Sequence, residues 1–148
     1  MKNQYKYDCN IAQTLNIIGD KWSLLILHEL SIGHNTYKAI QEGLEGIPTN
    51  LLSNRLKELE EDGLLVSSRY QAHPPRYEYT LTESGQDLDT VFCSLILWGE
   101  KHLQKCYKRL VHKGCGHSVV QRYYCPHCES AIAREELAVM PMEEEKDK

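Results

Sequence analysis

Two pairs of metal-seeking side chains stand near the C-terminal end of this 148-residue chain. His112 and Cys115 are two residues apart, Cys125 and Cys128 enclose Pro126-His127, and nine residues lie between the pairs. Turns of this spacing at the ends of a short hairpin present one imidazole and three thiolates to a single tetrahedral Zn²⁺. Four protein ligands leave no open position, so such a metal would support the fold rather than a reaction. His117 or His127 can replace His112, and the spacing leaves that choice open. The intervening Ser118-Val119-Val120-Gln121-Arg122-Tyr123-Tyr124 is rich in strand formers, which suits the hairpin. The bland alternative is two unrelated thiol pairs.

Cys125-Pro126-His127-Cys128 admits a second chemistry, thiol–disulfide exchange. A strongly oxidising thiol–disulfide oxidoreductase carries this tetrapeptide where a helix opens inside a βαβ fold. Here no strand–helix pattern precedes it, and a second ligand pair stands at zinc spacing. Context therefore favours metal. No other nucleophile–base pair or carboxylate pair stands out, so no enzyme is expected.

A third chemistry, the reading of base edges, is written into Ile47–Tyr79. Leu52, Leu56 and Leu59, with Leu64 beyond, form an apolar stripe at helical spacing. Thr49, Asn50, Ser53, Asn54 and Lys57 fall on the opposite face. Short polar side chains of this kind hydrogen-bond base edges in a major groove, and Asn prefers adenine. An isolated helix with such a face is more simply a solvated one; its surroundings favour recognition. Two strand-like runs, Leu64–Gln71 and Arg76–Leu81, flank Ala72-His73-Pro74-Pro75 and predict a hairpin. Its tip offers His73 and Arg76 to a phosphate or a minor groove. Arg55, Lys57, Arg69 and Arg76 are the cations available for phosphate neutralisation.

The elements that must position these groups follow from the chain in order. Ile11, Leu15 and Ile18 predict a short helix stopped by Gly19. Asp20 suits the cap of the next helix, Lys21–Leu30, which is apolar nearly all round. Thr36 suits the cap of a third, with Tyr37, Ile40 and Leu44 on one face. Gly43 and Gly46 bound a tight turn, and Pro48 suits a first helical position. Thr82 opens a long helix whose Leu88, Val91, Phe92, Leu95, Trp98 and Leu103 exceed what one small domain needs. Core packing is one account of that face; a shared helix–helix homodimer interface is the sharper one. The predicted fold class is mainly α with a small antiparallel β-hairpin wing, a winged helix-turn-helix, plus a small zinc-ribbon-like module. The predicted domains are 8–108 for DNA binding and dimerisation, 109–140 for the ribbon, and 141–148 as an acidic tail.

Bulk properties constrain this reading. An apolar content of 41% and a charged content of 26% are those of a globular chain large enough to bury a core without disulfides. No apolar run approaches the roughly 20 residues of a membrane span, so no membrane partner is expected. The N-terminus lacks an apolar signal region, so a cytoplasmic location is expected, with six cysteines available for metal or reactivity rather than disulfides. The net charge of −4 counts mildly against nucleic acid. Its distribution matters more: residues 1–100 carry 8 Lys+Arg against 14 Asp+Glu, and residues 101–134 carry 7 against 1. Lys105, Lys108, Arg109, Lys113 and Arg122 make the ribbon basic, which suits docking to a protein, an RNA or flanking DNA. Pairing of two chains would double the few cations of the reading head.

Several stretches together resemble the HxlR-type family of bacterial winged helix-turn-helix regulators, over roughly residues 8–105. They are Cys9, Gly19-Asp20-Lys21-Trp22, Gly46-Ile47, Leu52–Glu60, Asp62-Gly63-Leu64, Pro74–Thr82, Gly85 and Trp98. The resemblance implies a dimeric repressor or activator bound to double-stranded DNA, and a ribbon extension of this kind is similar to one in some members. It also implies that Cys9 matches a cysteine through which some members sense oxidants or electrophiles. Sensing requires an accessible, low-pKa thiol; Lys6 and Lys21 would lower the pKa and Asp8 would raise it. The alternative for Cys9 is a small residue packed against the dimer helix. Thr36-Tyr37 and Pro48 depart from the family pattern, which has Arg-Phe at the first place and a small polar cap at the second.

Overall fold

Capping chemistry and glycine placement account for most element boundaries in the computed structural model, which describes residues 4–141. The acidic tail lies outside the described residues from position 142 onward. The chain divides into two units, Met1–Phe92 and Cys93–Lys148.

Helix α1 spans Asn10–Ile18 and stops at Gly19, as expected. Helix α2 spans Ser23–Ser31, two residues later than expected. Asp20 is the reason. Its carboxylate accepts from the amides of Trp22 at 2.9 Å and Ser23 at 3.1 Å, closing a turn ahead of the helix. Ile26, Leu27 and Leu30 of α2 are buried, but Leu25 is exposed, so the all-round apolar pattern is buried on one side only. Helix α3, Tyr37–Gly43, starts at Thr36, whose hydroxyl accepts from the Ala39 amide at 3.2 Å.

Helix α4, Thr49–Glu61, buries Leu52, Leu56 and Leu59 as the stripe predicts. Pro48 sits at its N-cap rather than inside it and supplies no side-chain cap. The C-terminus is closed by Gly63 at φ +75, with the Leu64 amide donating to Leu59 at 2.9 Å and the Gly63 amide to Glu60 at 3.0 Å. This reciprocal pair satisfies the last carbonyls and needs the left-handed residue that Gly supplies.

Strand β1, Leu65–Gln71, pairs antiparallel with β2, Arg76–Leu81, in register from Leu65↔Leu81 to Gln71↔Arg76, with a bulge between Arg69 and Gln71. The hairpin is fastened to the start of α3 by a Thr36↔Glu78 bridge and by the Tyr79 amide donating to Asn35 at 2.8 Å.

The long helix expected after Thr82 is broken into α5, Glu83–Gln86, and α6, Asp89–His102. The Thr90 hydroxyl takes the Asp87 carbonyl at 3.1 Å, and the Val91 amide turns to Leu88 instead. Gly85 explains why α5 lies where it does. A Cβ there would stand 2.1 Å from the Leu64 carbonyl oxygen, which is backbone and cannot move aside. Gly85→Ala is therefore expected to cost about 1–3 kcal/mol, the usual penalty of overpacking, read as a lower denaturant midpoint. An unchanged midpoint would show that the backbone relaxes freely here.

The core of the first unit is one cluster in which Ile26, Leu27, Ile40, Leu52, Leu59 and Leu65 are fully buried and Phe92 nearly so. Each such side chain contributes about 1.5–3 kcal/mol relative to exposure. The second unit holds most of α6, a Val111↔Ser118 bridge, and the hairpin of β3, Tyr123–Cys125, with β4, Ser130–Ile132.

Candidate nucleic-acid interface

Burial of Leu52, Leu56 and Leu59 forces the other side of α4 outward. Thr49, Asn50, Ser53, Asn54 and Lys57 are all exposed there. Ser53 is partly engaged, donating to the Thr49 carbonyl at 3.0 Å. Lys57 stands 3.6 Å from Glu61 in an exposed pair that leaves it free to turn to a phosphate. On the hairpin, Arg69, His73 and Arg76 are exposed around the tip. Neither Arg69 nor Arg76 has a carboxylate partner among the described residues.

Arg55, expected among the DNA-facing cations, is turned the other way. Its side chain is 19% exposed and is shared between Glu58, one turn on, and Asp20, whose Oδ1 is 3.3 Å from the arginine Nε. The Nε approach has ion-pair distance without hydrogen-bond alignment. Arg55 thus ties α4 to the turn before α2 and positions the reading face from behind. Burial alone would raise the Asp20 pKa. The Ser23 hydroxyl, the Trp22 and Ser23 amides and Arg55 outweigh it and hold the carboxyl below the usual carboxylate range. A depressed folded pKa contributes stability that is full above the ordinary value of about 4 and is lost as pH falls through the folded value. Asp20→Asn is accordingly expected to lower the melting temperature at pH 7, with the gap to wild type shrinking toward pH 3. A gap independent of pH would remove the carboxylate from this account.

A residue that sequence patterning passed over is Tyr37. Its hydroxyl donates to the Thr49 carbonyl at 2.8 Å and lies 3.4 Å from the Ser53 hydroxyl, pinning the first turn of α4 to α3. Its spacing marked it only as an apolar-face residue of α3. The sole hint of another role was that it stands in the Thr36-Tyr37 departure from the family pattern.

The thiol groups fall in both units. Cys9 is exposed at the N-cap of α1 and makes no capping hydrogen bond. In the second unit, His112 Nδ1 lies 3.2 Å from Cys115 Sγ, inside a turn held by the His112 amide donating to His117 at 2.9 Å and the Gly116 amide to His112 at 2.8 Å. Cys125 ends β3 and Cys128 lies in the turn to β4. The Cys128 amide and thiol and the His127 amide hold the Cys125 thiol below its usual pKa. Each two-ligand turn is formed, while no three candidate ligands converge among the described residues. The Cys-Pro-His-Cys run sits between two strands, not at the opening of a helix as an oxidoreductase requires.

A helix seated by three leucines, with an outward polar face and a hairpin beside it, defines a winged helix-turn-helix protein. The chain belongs to the HxlR-like helix-turn-helix family, whose pattern matches residues 17–107. It is 34% identical over 135 residues to the uncharacterized HTH-type transcriptional regulator Rv3095 of Mycobacterium tuberculosis, covering 89% of this chain and 85% of that one. The crystal structure of PA1607 is similar at TM-score 0.76 and 29% identity, covering 91% of this chain and 96% of that chain. Matches of that extent reach past Cys128, so the likeness includes much of the second unit. The reduced form of the transcriptional regulator YodB from B. subtilis is similar at TM-score 0.55 and 30% identity, over 66% of this chain and 97% of that one. Among the described residues, no helix is long and apolar enough to cross a membrane.

Proposed function

We propose that the chain is a sequence-specific, homodimeric DNA-binding transcriptional regulator of the cytoplasm. The observation that carries this reading is the α4 face: five polar side chains outward, three leucines inward, and Arg69, His73 and Arg76 exposed on the adjoining hairpin. α4 enters a major groove, and the hairpin meets the flanking backbone. Pairing through α6, where Leu95 and Trp98 are exposed, with exposed Leu103 just beyond its end, sets two reading heads on half-sites about one helical turn apart. Binding-site selection from random duplexes should yield a two-fold symmetric operator whose affinity falls steeply with salt. Recovery of no preferred sequence would sink the reading.

The second unit holds a structural Zn²⁺ in this proposal, with Cys115, Cys125, Cys128 and His112 or His117 as ligands. Three thiolates and an imidazole are a donor set that zinc prefers; the first turn is shaped by its own backbone hydrogen bonds, and in the second the His127 and Cys128 amides already point at the Cys125 thiol. The metal would supply folding energy and no reaction step. Native mass spectrometry on protein purified without chelator should find one zinc per chain, with three of the six thiols protected until chelator is added. Zinc-free protein with an oxidised Cys125–Cys128 pair would overturn this and restore a redox role for that pair.

Outside the metal set the exposed thiols are Cys9 and Cys106, and Cys9, at a helix start, is the one through which an oxidant would reach the regulator in this proposal. Diamide should then release wild-type protein from its operator and leave Cys9→Ser bound. Equal response of the two proteins would assign the effect elsewhere.

A further inference from the structure

The hairpin and the start of α3 border a cleft of about 540 Å³ that shares only Arg76 and Tyr37 with the DNA-reading face. Tyr37, Tyr70, Tyr77 and Tyr79 line it together with Lys38 and Arg76. The strand period puts Tyr77 and Tyr79 on the same face of β2. The bulge between Arg69 and Gln71 displaces Tyr70 from regular alternation, and Tyr70 lines the same cleft. Four of the protein's nine tyrosines thus line one cleft. Every charged residue lining the cleft is cationic, and no carboxylate lines it. Arg76 has no carboxylate partner among the described residues. Lys38 is held only by an exposed contact to Glu42 at 3.6 Å. Burial, then Glu60 and the neighbouring tyrosines, push the Tyr79 phenol above its usual pKa.

We propose that this cleft binds a small planar aromatic anion, of the benzoate or phenolate class. The volume lies within the roughly 300–1,000 Å³ typical of small-molecule sites. The tyrosine rings offer faces and edges for offset or edge-to-face stacking of a flat ligand. A guanidinium pairs with a carboxylate through two parallel N–H donors, which an ammonium cannot do. The charge of the walls rejects an aromatic cation, and the rings disfavour an aliphatic anion relative to a flat one. The site also has a path to DNA. Tyr37 both lines the cleft and holds the Thr49 carbonyl at the first turn of α4. An occupant that draws the Tyr37 hydroxyl to itself loosens the start of the reading helix. This consequence, unlike the site, rests on the DNA-binding reading above.

The test is a fluorine NMR titration of 4-fluorobenzoate into the full chain, with 4-fluorobenzylamine as the probe of equal shape and opposite charge. The expected result is saturable binding of the acid alone, displaced by benzoate and not by cyclohexanecarboxylate. Arg76→Gln should weaken it tenfold or more. Tyr70→Ala, at an exposed position that leaves the core intact, should do so as well. Binding of acid and amine alike, or binding indifferent to both substitutions, would overturn the proposal. So would no binding at millimolar probe, and if Tyr70→Ala then weakened operator binding the cleft would belong to DNA phosphates instead. Operator binding by the unliganded wild type is measured in parallel. Its loss would fault the DNA reading alone, and its presence beside a silent titration would fault the cleft alone.

Discussion

Replacing Asn54 by Ala is expected to lower affinity for the selected operator about 5–150-fold, the equivalent of the roughly 1–3 kcal/mol carried by a bidentate amide–adenine contact. Asn50→Ala should behave likewise. Both side chains are exposed on the outward face of α4, so neither substitution removes core contacts. The melting temperature should stay within a degree or two, and the dependence of affinity on salt should keep its slope, since no phosphate contact is lost. Lys57→Ala should do the reverse, weakening binding to all sequences and reducing the slope by about one. Arg55→Ala separates contact from positioning. It should cost about 1–3 kcal/mol of stability by leaving Asp20 and Glu58 without their shared cation, and leave the salt slope intact. A reduced slope in that variant would return Arg55 to the phosphate-contacting set.

Truncating Leu59 to Ala should be the most damaging single change to the fold. Leu59 is fully buried, and it faces a cluster that includes Leu52, Leu56 and Leu65. Loss of the side chain removes its transfer free energy and leaves a cavity, together about 2–5 kcal/mol. Against a typical total of 5–15 kcal/mol for a domain of this size, that is a large fraction. Urea unfolding should show the midpoint fall with little change in slope. Operator affinity should fall with it near physiological temperature, because the same leucines that fill the core hold the reading face outward. A Leu59→Ala protein as stable as wild type would mean that the cluster collapses around the gap, and that the stripe is less tightly packed than its burial implies.

Much of the architecture was legible in the chain because it rests on local chemistry. The Leu52/Leu56/Leu59 stripe marked α4, and Gly63 marked its end, since a left-handed residue there closes the helix with backbone bonds alone. Alternation from Arg76 to Leu81 fixed β2 to the residue, and Thr36 announced α3 through its own hydroxyl. The thiol pairs announced themselves by spacing. Local rules failed where a distant partner outbid a near one. Arg55 has the spacing of a phosphate-contacting cation on α4, and Asp20, 35 positions earlier, draws it to the other side. The helix after Thr82 was read as continuous, and a single hydroxyl, that of Thr90, accompanies its interruption.

Sequence by itself therefore determined where most of the helices and the hairpin of the first unit lie and which face of α4 is apolar. These depend on periodicities of a few residues and on side chains acting within one turn of their own backbone. Only the tertiary structure decided which way Arg55 points, that Tyr37 pins the first turn of α4, and that four tyrosines line one cleft. Those outcomes depend on groups 12 to 42 positions apart in the chain, such as Tyr37 with Thr49 and with Tyr79, whose distances no local pattern encodes. Side-chain identity sets what a residue can do, and packing of the distant elements sets which of its possible partners it meets.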